Sequence, residues 1–266
     1  MQEPAPGANP TGLDAFKPAE VARRIEEAGI AKSCLPLLQL ITLACLAGAF
    51  IAFGAAAFTA VMTGADLTFG PSRWLGGSVF SLGLVLVIVG GAELFTGNAL
   101  IVMAWVDGKI GSNALLRNWL FSFIGNFAGA IAIVLLMHLS GLLKGGTGAT
   151  AMAIAEAKLK LGFLEAFARG ILCNALVCLA VWLTFAARSA SDKILAILFP
   201  ISAFVLLGFE HSIANLYFIP AGWAAGAEVT MAGFIANLVP VTLGNIVGGA
   251  GGVALSYWLA YRPARN

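Results

Sequence analysis

The chain is 266 residues long, 60% hydrophobic and only 11% charged, with a mean hydropathy of +0.93. Soluble domains carry about 25% charged residues, so the composition excludes an ordinary water-soluble protein and makes the lipid bilayer the expected solvent. A formal net charge of +2 is too small to build a nucleic-acid surface, so nucleic acid is not an expected partner.

Residues 1–34 form a polar N-terminal segment. Its first 12 residues are rich in Pro, Gly and Ala and are expected to be disordered. The following PAEVARRIEEAG (18–29) has Pro at a helix start, mixed charge and a terminal Gly, which predicts a short amphipathic helix. No small-residue cleavage site follows a short apolar core, so a cleaved signal peptide is not expected.

Six apolar stretches follow, at 35–62, 74–105, 119–143, 161–187, 194–219 and 232–261, each long enough for a crossing that needs roughly 20 residues. Abundant Gly and Ala without alternating strands favour helices over a barrel. A membrane region at 35–261 and a short tail at 262–266 complete the expected organisation. Lys and Arg concentrate in the N-terminal segment, the 2–3 and 4–5 connections and the tail, which predicts cytoplasmic termini. Cys34, Cys45, Cys173 and Cys178 lack metal-ligand spacing and read as packing residues.

The second stretch is too long for one straight span and contains GGAELFTGN (90–98), two glycines with a carboxylate, a threonine and an asparagine. Its pattern G-x-E-x-x-x-x-N at Gly91, Glu93 and Asn98 returns at Gly208, Glu210 and Asn215. A second pattern at Asn118, Gly125, Asn126 and Gly129 returns at Asn237, Gly244, Asn245 and Gly248. The matching order predicts two repeats, about 35–143 and 161–261, each with one interrupted helix. Three spans per repeat place the second upside down relative to the first, as in many transporters.

A broken helix leaves backbone groups that a membrane tolerates only beside protein or a watery cavity. Exposed amides there attract anions. Glu93 and Glu210 are read as caps on free helix ends, with a cation site as the alternative. His211, beside Glu210 in the second break, is an ionisable group at mid-span depth and therefore a functional candidate. His138, near the outer end of span three, reads as interfacial. Arg169 stands two turns into span four with Glu165 four residues earlier, which predicts an ion pair.

GAELFTGN and GFEHSIAN, together with NWLFSFIGNFAGA, LCNALVCLAVW and NLVPVTLGNIVGG, resemble the signature segments of the formate/nitrite transporter family. The resemblance covers nearly the whole membrane region. It implies an all-α integral membrane protein of the bacterial inner membrane, with six transmembrane helices, an aquaporin-like fold, helices two and five broken, and pentameric assembly with a pore in each protomer. The transported species are small monovalent anions, formate first, then nitrite or hydrosulfide, some moved with protons.

By the same resemblance, His211 is the central histidine, Thr96 the threonine of the first break, and Asn215, Asn174 and Asn245 polar pore residues; Glu210, next to His211 in the chain, is read as orienting it within the proton relay. Phe80 and Leu84 map onto a cytoplasmic constriction with Leu94 and Phe95 nearby, Phe204 onto an outer one, and Lys158 onto a vestibule. The N-terminal helix is implied in pH-dependent gating. Arg169 departs from the family pattern, which has an apolar residue there. A water or neutral-solute channel is the remoter alternative. Neither catalysis, a metal nor a cofactor is expected, because no triad, metal cluster or nucleotide motif is present in the sequence.

Overall fold

The computed structural model describes residues 14–261. The first 12 residues and the tail at 262–266 lie outside the described residues. Within them every regular element is helical.

Helix α1 (Pro18–Ser33) begins on the proline, whose missing N–H is harmless in a first turn. It buries Val21, Ala22 and Ile25, spaced to share one face. Pro36 then starts α2 (Leu37–Met62), 26 residues long and about 39 Å at 1.5 Å per residue. Five helical stretches are long and apolar enough to cross a membrane: Leu37–Met62, Phe69–Gly90, Ser112–Leu139, Phe163–Ala186 and Met231–Tyr261.

The second predicted span is divided. α3 (Phe69–Phe80) and α4 (Leu82–Gly90) meet at Ser81, and α4 stops where Gly91 adopts φ +83°, a conformation closed to most side chains. After an irregular stretch the chain resumes as a 3-10 turn (Gly97–Ile101) and α5 (Val102–Val106). The fifth predicted span is divided as well, into α9 (Ala190–Leu206) and α10 (Ser212–Ala225), with Gly208 at φ +72° between them. Ser189 and Asp192 form a reciprocal capping box that starts α9.

α6 (Ser112–Leu139) packs along α2, and α8 (Phe163–Ala186) along α11 (Met231–Ile246). Both pairings are close because glycine lines them. A Cβ on Gly48 would collide with the Asn126 carbonyl, and one on Gly129 with that of Cys45. In the second pair, Gly244 and Gly248 lie against the carbonyls of Phe167 and Ile171. α11 continues through a π-helical stretch (Val247–Leu255), where glycines are dense, into α12 (Ser256–Tyr261).

The connection between the third and fourth apolar stretches, residues 144–160, for which the sequence predicts no element, forms α7 (Gly145–Leu159). Its lysines lower the mean hydropathy, but Gly148, Ala151 and Ala155 form a small-residue face packed on α10. Gly222 of α10 sits directly over Ala151 and Ala155.

Candidate functional site

Each break is fastened by the same set of side chains. In the first, Lys32 at the end of α1 donates to Glu93, and Asn98 Nδ2 donates to Glu93 Oε2 at 2.8 Å and to Asn118 Oδ1 at 2.9 Å. Asn118 closes the ring by donating to the Lys32 carbonyl. In the second, Lys158 at the end of α7 donates to both Glu210 oxygens at 2.9 and 3.0 Å, and Asn215 Nδ2 donates to Glu210 Oε2 at 2.7 Å and to Asn237 Oδ1 at 2.8 Å. Asn237 donates to the Lys158 carbonyl. The two rings share their four residue types and their asparagine bonds, and differ at the lysine: Lys158 bonds both Glu210 oxygens, whereas Lys32 bonds one Glu93 oxygen and Asn98 Oδ1. Both carboxylates are buried, and this cation and these donors offset the cost of taking each out of water.

Two further asparagines satisfy the broken backbone. Asn126 accepts from the Phe95 amide and donates to the carbonyls of Ala44 and Glu93. Asn245 accepts from the Ser212 amide and donates to the carbonyls of Gly170 and Glu210. A side-chain amide offers both donor and acceptor, so one residue stands in for several lost helical bonds.

Between the two breaks Thr96 Oγ1 lies 2.9 Å from His211 Nε2, and both residues are buried. The ring's other nitrogen settles the tautomer. His211 Nδ1 is 3.1 Å from the backbone nitrogen of Ala214 as the N-cap of α10. A peptide N–H only donates, so Nδ1 accepts, and in the neutral ring Nε2 carries the hydrogen and donates to Thr96. The threonine hydroxyl hydrogen is then left for a third group. The Thr96 carbonyl is held in turn by Asn174 Nδ2 at 3.2 Å and the Cys178 thiol at 3.5 Å.

A cavity of about 360 Å³ opens on the His211 side, lined by Phe80, Phe204, Lys158, Glu210, Arg73 and Arg169 among others. A second, also about 360 Å³, is lined by Lys32, Glu93, Asn98, Leu84, Leu94 and Lys193 among others. They stand at opposite ends of the long helices. Leu43, near the start of α2, lines the second cavity, whereas Phe58 and Met62 near its end line the first. Leu43 and Phe58 are roughly 22 Å apart at the helical rise. α8 runs the other way, with Arg169 at the first cavity and Val181 and Thr184 at the second.

The formate/nitrite transporter profile matches residues 19–259. The formate channel FocA of Escherichia coli strain K12 is 41% identical over 272 residues, covering 94% of this chain and 95% of that one. The chain belongs to the formate/nitrite transporter family. Two solved structures resemble this member of the family. One described as a pentameric formate channel with formate bound has a TM-score of 0.78 at 43% identity, covering 85% of this chain and 98% of that one. The other, an FNT family ion channel, has a TM-score of 0.85 at 28% identity, covering 91% and 98%. The transporter family's fold is therefore present as an all-helical, multi-pass membrane protein.

Within this family member the predicted site residues separate into groups. Thr96 and His211 meet. Phe80 and Leu84, expected on one side with Phe204 on the other, are divided differently: Phe80 packs edge-on against Phe204 at 5.5 Å and both line the first cavity, while Leu84 joins Leu94 at the second. The two positions are four apart on one helix face, but the cavities meet the α3–α4 pair from opposite ends. Phe95 lines neither cavity and packs on Trp119 and Phe123 of α6 at 6.2 and 5.2 Å.

Glu210 does not orient His211, because His211 is extended and neighbouring side chains of extended backbone point apart. Ala214 N–H holds the ring, while Glu210 faces Lys158 and Asn215. Neither Glu93 nor Glu210 caps a free helix end. Asn174, Asn215 and Asn245 line neither cavity and hold the breaks. Arg169 bonds Glu165, as its spacing predicts, and also the Gly208 carbonyl at 3.1 Å. Lys32 and Asn126 went unassigned in the sequence reading. The signal for Lys32 was the pair of repeated carboxylates, since each buried glutamate requires a cation.

Proposed function

We propose that each protomer conducts a small monovalent anion, formate first and nitrite second, along a path from the Lys158 cavity past Phe80 and Phe204 to Thr96 and His211, then past Leu84 and Leu94 to the Lys32 cavity. The observation that carries this reading is the placement of two cation-bearing cavities at opposite ends of α2 and α8, with a buried Thr96–His211 hydrogen bond between the breaks. Lining cations outnumber lining carboxylates at both ends, Arg73, Lys158 and Arg169 against Glu210 and Lys32 and Lys193 against Glu93, which favours anions, and apolar collars strip their water. The Thr96 hydroxyl hydrogen, freed by the Nε2–H donor, is the group the dehydrated anion meets.

His211 also serves as the proton gate in this reading. A second proton on the ring enters at Nδ1 and displaces the Ala214 N–H, so proton transfer and the N-cap of α10 are linked. The same Lys–Glu–Asn–Asn set in the two hydrogen-bonded rings supports two repeats, each opened by the helix that ends in Lys32 or Lys158. The opposed directions of α2 and α8 support their inversion and a six-span, aquaporin-like arrangement with broken second and fifth spans. The distribution of Lys and Arg supports an inner-membrane protein with both termini and the Lys32 cavity cytoplasmic. Likeness to a pentameric formate channel with formate bound supports assembly as a homopentamer.

Purified protein in liposomes tests the reading through fluxes of formate, nitrite, hydrosulfide and glycerol at two pH values. Formate flux exceeding glycerol flux is expected, with proton-coupled uptake lost in His211→Phe. Glycerol moving as fast as formate, or full coupling in His211→Phe, overturns it.

A further inference from the structure

The Lys158 cavity carries more positive charge than the proposed path uses. Three cations line it, Arg73, Lys158 and Arg169, against a single lining carboxylate, Glu210, among the described residues. Lys158 is neutralised by Glu210 and Arg169 by Glu165. Arg73 has no carboxylate or hydrogen-bond acceptor among the described residues; its directed contact is the Phe69 ring, 5.6 Å from the guanidinium carbon. A half-buried guanidinium whose donors are not taken by protein, set in a cavity wall, is available to an anion that enters.

The position of Arg73 relative to Arg169 defines what visits. Both guanidiniums converge on Gly208. A Cβ at that residue would stand 3.8 Å from Arg73 Nη2 and 3.7 Å from Arg169 Nη1, so the glycine leaves open the space between them. Gly208 is also at φ +72°, which disfavours any side chain there. Arg169 already donates through Nη1 to the Gly208 carbonyl and through Nη2 to Glu165, so it borders the gap as a held cation, while Arg73 brings the free donors. Guanidinium forks present paired N–H donors in a plane, which suits a flat anion with two oxygens and gives little advantage to a one-atom anion.

We infer that Arg73 and Arg169 form a carboxylate-docking site in the wall of the Lys158 cavity, which loads a small planar carboxylate ahead of the Phe80–Phe204 constriction. This rests on the anion-channel reading and adds to it a selective capture step.

The test uses the full-length protein, purified in detergent for binding and in liposomes for flux, with ionic strength held constant by chloride. Wild type is compared with Arg73→Gln and Arg73→Lys, each retaining the wild-type size-exclusion profile. Saturation-transfer NMR of formate should show binding to wild type and its loss in Arg73→Gln. The half-saturating formate concentration for flux should rise about tenfold, as expected for loss of a charged hydrogen-bonded contact, with maximal flux retained. Arg73→Lys keeps the charge without the fork and should remain impaired. Unchanged half-saturation in Arg73→Gln, or full function in Arg73→Lys, overturns the docking site while leaving the channel intact. Formate binding that depends on Arg73 in a protein that passes no formate supports the docking site and overturns the channel reading instead.

Discussion

Thr96 Oγ1 stands 2.9 Å from His211 Nε2, although 115 residues separate them in the chain. The contact joins the two breaks, and its direction is set by a backbone amide on the far side of the ring. Thr96→Val removes the acceptor and leaves a buried Nε2–H unpaired, at a cost of about 1–3 kcal/mol. Formate flux in liposomes should fall about tenfold or more, and Thr96→Ser should restore most of it. Equal flux in the Val and Ser variants would show that the hydroxyl is not used.

Lys158 and Glu210 are both largely buried, with side-chain exposures of 14% and 6%. Lys158→Met strands the carboxylate and should destabilise the protein by about 3–5 kcal/mol. Adding Glu210→Gln should recover much of that loss, because a neutral amide needs no counter-ion. Thermal unfolding in detergent of the two single variants and the double variant gives the coupling directly; strictly additive losses would contradict the pairing.

Asn126 and Asn245 each make three bonds to backbone at a break. Asn126→Ala and Asn245→Ala should lower the unfolding temperature by similar amounts, each losing about 2–4 kcal/mol as buried peptide groups go unpaired. A marked loss in one variant alone would break the equivalence of the two rings.

Gly129 lets α6 lie directly on the Cys45 carbonyl of α2. Gly129→Val has no room for its side chain and should abolish the folded, monodisperse protein on size exclusion. Gly111→Ala, where a Cβ meets nothing within 4 Å, should behave as wild type and serves as the control.

Lys109 ties α1 to the turn before α6 through Glu26, with Nζ 2.9 Å from the carboxylate. The hydrogen bond to Glu26 holds the Lys109 ammonium above its usual range. A raised folded value means that the contribution is complete below the ordinary lysine pKa and is lost only as pH rises through the folded value. Hydrogen exchange of α1, corrected for intrinsic rates, should therefore show the same contribution from this pair at pH 6 and pH 8. The difference between wild type and Lys109→Met should be equal at the two values; a difference that changes across that interval would refute the assignment.

Much of the site was legible because its chemistry is local in kind. A buried carboxylate, a glycine at positive φ and an asparagine that replaces helical bonds leave the pattern G-x-E-x-x-x-x-N wherever a helix is broken in lipid. The same pattern at Glu93 and Glu210 marked both breaks without coordinates. α7 stayed hidden because its small-residue face earns its stability only against Gly222 of α10, and hydropathy counts its lysines without seeing that Lys158 is paired. Phe80 was grouped with Leu84 by the resemblance, and their shared helix face does not reveal that the two side chains enter different cavities.

By itself, then, the sequence determined that lipid is the solvent and that two helices break, at residues 91–98 and 208–215, since transfer free energy and helix geometry act on neighbouring residues. Only the tertiary structure decided that Lys32 balances Glu93, that Ala214 rather than Glu210 sets the tautomer of His211, and that Arg73 and Arg169 face one gap. Those relationships depend on how closely glycine-lined helices approach, and that distance is a property of the packed chain.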